Sequence, residues 1–156
     1  MAVKQLYDQL LQLQADKFYS IEAQFCTELY YGIPADKRPV CVTVFLTIAN
    51  WSATSMQSGV WTFYEACPPE EVQMTLQYLQ QSGAEELTRI FALGIHDYQN
   101  LKYAENFDYP QEWMDDAEQI DAWIMKHEDW LNKWKKQLLL KHREEICSCE
   151  MLFPSQ

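Results

Sequence analysis

Histidines, cysteines and carboxylates are the groups in this chain that could do chemistry, and their spacing says what kind. His142 stands five residues before Cys147, and Cys147-Ser148-Cys149 follows, so three soft metal ligands share one short stretch. Structural zinc takes four ligands, commonly from paired motifs set apart along the chain. This spacing matches no such signature, so the expectation is a reduced C-terminal tail and no metal. His96 precedes Asp97, a pair able to act as an acid–base dyad, but spacing brings no nucleophile to it. His127 falls inside an apolar stripe, where an imidazole more often completes a core than catalyses. The motifs HExxH, GxSxG, GxGxxG and the P-loop are all missing, and four glycines are too few for a phosphate cradle. The expectation is a non-enzymatic protein with no catalytic residue and no cofactor.

The carboxylates are unevenly placed. From Asp97 to Asp129 ten acidic residues stand against two basic ones, −8 in 33 residues, while the rest of the chain carries −3 of the total −11. The plain reading is a solvated helix face that keeps the protein in solution. Geometry admits another. Carboxylates four residues apart on a helix are spaced by about 6 Å along the axis. Duplex DNA presents one negative charge per about 1.7 Å of axis. A rigid helical surface can thus hold carboxylates at spacings of the order of those between phosphates. The candidate partner-binding acids are Asp97, Glu105, Asp108, Glu112, Asp115, Asp116, Glu118 and Asp121. A charge of −11 argues against direct binding to nucleic acid or to an anionic membrane surface.

The elements that must position these groups read as helices. A chain of 156 residues with 48% hydrophobic residues can fold as one domain without staples. The expected fold is all-α, a single-domain multi-helix bundle over 1–146 with a short tail at 147–156. Val3, Leu6, Leu10 and Leu13 form one stripe and Phe18, Ile21, Phe25 and Leu29 another, with a bend near Ala15-Asp16. Val40–Ile48 is rich in β-branched residues, but no other segment offers a strand partner, and the reading is a buried helix opened by Pro39. Pro69, Glu70 and Glu71 suit a helix start, Ser82-Gly83 a stop, and Leu87, Ile90, Phe91 and Ile95 a second helix in an αα-hairpin. Trp113, Ala117, Ile120, Ile124, His127, Leu131, Trp134 and Leu138 recur at steps of four and three. That pattern predicts one long amphipathic C-terminal helix over 111–146, with Asp115, Glu118 and Asp121 opposite the apolar face and Lys133–Arg143 basic at its far end. Tyr30-Tyr31 and Trp61-Thr62-Phe63-Tyr64 are expected to fill the core.

No run of 18 apolar residues occurs, and the first residues lack a signal-peptide pattern. Five cysteines, an odd and scattered set, speak against a disulfide scaffold. A cytoplasmic protein is the expectation.

Val40 to Asp97 also carries a series of motifs in fixed order. An apolar helix, Val44-Phe-Leu-Thr-Ile-Ala49, is followed by a polar turn, Met56-Gln-Ser-Gly59. The aromatic segment Trp61-Thr-Phe-Tyr64 and the Leu-rich Leu76-Gln-Tyr-Leu79 come next, leading to Gly83-Ala84. This series resembles a bacterial family of small all-α domains of unknown function whose best-known type is a DNA mimic protein. The family usually has Asn-Gly-Gly where this chain has Gln57-Ser58-Gly59. The resemblance implies an all-helical fold and a DNA-mimic activity, and brings no catalytic residue.

The reading that joins these observations is an acidic protein that occupies the DNA-binding surface of a basic partner, alone or as a homodimer. The alternatives are an immunity-type inhibitor of a basic toxin such as a nuclease, and a helical domain that binds or turns over a small ligand.

Overall fold

The computed structural model describes residues 3–14 and 17–152, so the bend expected near Ala15-Asp16 lies outside the described residues. Every regular element among the described residues is helical. The chain falls into two compact units, one of residues 1–49 with 128–156 and one of residues 50–127.

In the first unit, α1 (Val3–Gln12) buries Val3, Leu6, Tyr7 and Leu10, and packs on α2 (Tyr19–Gly32). The α2 stripe is the expected one, with Phe18, Ile21, Phe25 and Leu29 all at most 2% exposed. Tyr7 meets Phe25 edge to face, and Phe25 meets Phe45 in the same way. A 3-10 turn at Ala35–Lys37 leads to α3 (Val40–Ser58), whose first half belongs to this unit. Its β-branched start is helical because Val42, Val44, Phe45 and Ile48 are all fully buried, and burial outweighs propensity.

The expected single helix over 111–146 is three. They are α8 (Gln111–Lys126), α9 (Glu128–Lys141) and α10 (Arg143–Cys147), separated at His127 and His142. His127 takes φ −113 and ψ 23, and His142 takes φ −105 and ψ 19, both off the helical values. The apolar stripe nonetheless runs on, since Ala117, Ile120, Ile124, Leu131 and Leu138 are all buried. His127 N donates to Trp123 O and His142 N to Leu138 O, closing the last turns of α8 and α9. The tail is docked where it is described: Leu152 N donates to Gly32 O at 2.8 Å.

In the second unit, the latter half of α3 is followed by α4 (Trp61–Ala66), α5 (Pro69–Ser82), α6 (Glu85–Leu93), α7 (Leu101–Ala104) and α8. The hairpin of α5 and α6 has the expected joint, with Gly83 at φ +77 closing α5. Its first turn holds Pro69, Glu70 and Glu71 as anticipated. Ile95 lies beyond the end of α6 and is half-buried. The core here is aromatic and hydrogen-bonded. Trp51 Nε1 donates to Tyr64 Oη at 3.0 Å, and Tyr64 Oη donates to Phe91 O at 2.7 Å. Gly94 lies against the Tyr64 ring so closely that a Cβ there would overlap it.

The aromatic pairs part company. Phe63 and Tyr64 are buried as expected, but Tyr30 and Tyr31 are 54% and 64% exposed, a correction to the core-filling reading. They sit near the end of α2, past its inward stripe, and Arg38 covers the Tyr30 ring from 4.7 Å.

Candidate functional site

The unit of residues 50–127 holds 13 acidic and 3 basic residues, a net −10. The other unit holds 10 acidic and 9 basic residues, a net −1. Nearly the whole charge excess therefore belongs to the unit that contains the eight candidate acids.

The eight do not play one role. Asp97, Glu105, Asp108, Glu112, Asp115 and Glu118 are exposed, whereas Asp116 and Asp121 are half-buried. Asp121 Oδ1 accepts from Ser55 Oγ and, at 2.9 Å, from the backbone N–H of Val60. It thus ties α8 to the turn between α3 and α4. That turn needs Gly59, which takes φ +90, a backbone state costly to residues with a Cβ. Asp121 is a fixture of the scaffold and lies away from the exposed face predicted for it.

Asp116 Oδ2 is 2.9 Å from His96 Nε2, with both side chains partly covered. The His96 ring lies parallel to Trp113, centroids 5.0 Å apart. The sequence suggested a dyad with the adjacent Asp97. The structure gives His96 the more distant Asp116, while Asp97 accepts from Asn100 Nδ2 at 2.9 Å. Among the described residues, Asp116 alone of the eight lies within salt-bridge distance of a basic side chain.

The six exposed acids occupy two neighbouring stretches of sequence. Glu112, Asp115 and Glu118 follow at steps of three along α8, about 4.5 Å apart along the helix axis. Gln111 Nε2 donates to Asp115 Oδ1 at 2.8 Å and restrains that carboxylate. Asp97, Glu105 and Asp108 flank α7, whose N-cap is Asn100 accepting from Lys102 N.

Apolar side chains are exposed among these acids. Leu101 is 77% and Phe107 63% exposed. Phe107 ends α7 in a left-handed turn, φ 53, with its N–H bonded to Ala104 O and that of Asp108 to Tyr103 O. That closing position usually belongs to glycine or asparagine, because a Cβ there costs about 1–2 kcal/mol. No hydrophobic period in the sequence marks Phe107, because it is a turn residue. The Phe107 ring meets Trp61 edge to face at 6.3 Å.

His127 is half-buried at its joint, its ring stacked on Trp123 at 4.3 Å and its Nδ1 2.8 Å from Trp123 O. It serves the turn between α8 and α9, and a place within a continuous helical stripe is corrected accordingly.

In the other unit the basic end is engaged internally. Lys135, 3% exposed, pairs with Glu22, Arg143 Nη2 lies 3.5 Å from Asp8, and Lys136 Nζ donates to Leu13 O at 3.0 Å. Residues able to hold a metal also occur there. Cys41, His142 and Glu145 each bring one ligand atom to within 4.8 Å of the others. Cys147 and Cys149 are half-buried nearby in sequence. The five cysteines are free thiols. Burial pushes Cys26 and Cys67 up to about 12.

No helix of the described residues is long and apolar enough to cross a membrane. In comparisons with known proteins, no family model, curated protein or solved structure matches this chain. The family resemblance between Val40 and Asp97 therefore rests on its own motif residues alone.

Proposed function

We propose that the surface of residues 97–118 is a protein-docking surface that offers carboxylates in place of DNA phosphates to a basic DNA-binding protein. The observation that carries this reading is the segregation of charge: −10 lies in the unit of residues 50–127, where six of the eight candidate acids are exposed and lack an ion pair among the described residues. A carboxylate row needed only for solubility has no use for a strained Phe107 or an exposed Leu101 among its members. Apolar anchors within a charged rim are what protein interfaces use. Long-range attraction would bring the partner in, and the exposed rings would hold it. Asp116 and Asp121 support the surface from behind, by fixing α8 and its neighbours. The protein has no reaction to perform in this reading, and DNA is a competitor for its partner.

The test is affinity purification from the source cell at low and at high ionic strength, using the whole chain and the triple variant Glu112→Gln/Asp115→Asn/Glu118→Gln. A basic DNA-binding protein should be retained at low salt, released at high salt and displaced by duplex DNA. The triple variant should bind it about tenfold or more weakly, at about 0.5–1 kcal/mol per exposed charge pair. Its stability should stay within about 0.5 kcal/mol of the parent. Salt-insensitive capture of neutral or acidic proteins, or full binding by the triple variant, would overturn the proposal. Recovery of a basic nuclease that DNA does not displace would favour the inhibitor reading in its place.

A further inference from the structure

Cys41, His142 and Glu145 belong to the unit of residues 1–49 and 128–156 and have no part in the acidic surface. Each is aimed by a separate feature of the fold. Cys41 is the second residue of α3 and is 3% exposed. His142 is the joint between α9 and α10, where the departure from helical backbone turns its ring. Glu145 lies three residues on, within α10. Glu145 Oε2 is 3.5 Å from Cys41 Sγ and 3.3 Å from His142 Nδ1.

These separations match the edges of a zinc coordination tetrahedron. Zinc–sulfur bonds of about 2.3 Å and zinc–nitrogen and zinc–oxygen bonds of about 2.0 Å, at tetrahedral angles, give S–O and N–O edges of about 3.5 Å and about 3.3 Å. Hydrogen bonding explains the cluster less well, because 3.3 Å is long for an imidazole N–H facing a carboxylate, which favours about 2.7–2.9 Å. Cys149 stands beside the cluster. Its Sγ is 3.4 Å from Glu145 O.

We infer that Cys41, His142 and Glu145 bind one divalent ion of the zinc class. Thiolate, imidazole and carboxylate suit zinc, whereas calcium and magnesium take oxygen ligands. On binding, the Cys41 thiol gives its proton to solvent and His142 ligates through Nδ1, keeping its proton on Nε2. The ion would join groups up to 104 residues apart in the chain and so fasten the start of α3 to the α9–α10 joint. The sequence alone pointed to His142, Cys147 and Cys149 and found the set too small. The missing member is Cys41, which only the fold brings near.

Cobalt(II) is the probe. The whole chain, stripped with a chelator, is titrated with cobalt chloride under reducing conditions. One equivalent should bind, with a thiolate-to-cobalt charge-transfer band in the near ultraviolet and the intense visible bands of tetrahedral cobalt, and an equivalent of zinc should bleach both. Cys41→Ser should abolish the charge-transfer band. Glu145→Gln changes an exposed side chain and should leave the circular dichroism intact while weakening cobalt binding about tenfold or more. The Glu112→Gln/Asp115→Asn/Glu118→Gln variant should bind cobalt like the parent. Absence of the charge-transfer band at one equivalent, or unchanged binding by Glu145→Gln, overturns the inference.

Discussion

The two units solve the problem of charge in opposite ways. The unit of residues 1–49 and 128–156 is nearly neutral and takes one charge pair inward, Lys135 on Glu22, while Arg143 meets Asp8 at the surface. The unit of residues 50–127 carries −10 and holds itself together with neutral hydrogen bonds between aromatic groups, such as Trp51 to Tyr64 to Phe91 O. A unit that must repel itself at the surface gains little from ion pairs it would have to keep dry. Its two inward carboxylates, Asp116 and Asp121, have polar partners, and its remaining candidates are left to solvent. The comparison teaches that a surplus of one sign is tolerable where the core beneath is held by neutral hydrogen bonds and the inward carboxylates have polar partners.

The largest effect should come from breaking the inward pair. Glu22→Gln strands the Lys135 ammonium in a buried setting and should cost about 3–5 kcal/mol in urea unfolding. A double replacement, Glu22→Leu with Lys135→Met, should restore most of that loss. A cost under about 1 kcal/mol for the single variant would show that charge does not hold this unit.

Tyr64→Phe probes the other unit. It strands the fully buried Trp51 Nε1–H and removes a donor from Phe91 O, for about 1–3 kcal/mol, read by thermal melting and by the shift of tryptophan fluorescence. Raising salt should leave that cost unchanged, in contrast to the binding of a partner.

The smallest effect sharpens the comparison by ignoring it. Burial is the first cause of the raised thiols of both Cys26 and Cys67, and the neighbouring Glu22 or Glu71 comes second. Each thiol ordinarily loses its proton near 9 and keeps it in the folded chain up to about 12. The unfolded chain therefore binds fewer protons between those values, so stability holds below pH 9 and falls as the pH rises towards 12. Melting temperatures taken at half-unit steps from pH 8 to 10 should show a gradual decline beginning near 9, and Cys26→Ala and Cys67→Ala should each flatten it.

Much of the fold was legible because burial imposes period on a sequence. The stripes of α1 and α2 follow from that, while Gly83 was legible as a helix stop and Val40–Ile48 as a helix because no other segment offered a strand partner. The joints at His127 and His142 were hidden by that same period. A one-residue break leaves the spacing of apolar residues in the sequence unbroken, so the stripe from Ala117 to Leu138 reads as one helix. Lys135 read as part of a basic solvent-facing end because nothing local reveals Glu22, 113 residues away. Asp121 read as a surface acid because its partners, Ser55 and the Val60 N–H, belong to a turn formed elsewhere in the chain. The site acids were legible as a cluster, and their division into exposed members and scaffold was not.

The left-handed turn at Phe107 has a consequence for anyone seeking a sturdier version of this molecule. Glycine at that position would relax the backbone, and a search guided by melting temperature alone would select it early. The same replacement would erase an exposed aromatic ring that the proposed docking surface uses as an anchor. Thermal robustness and molecular recognition thus compete for a single codon.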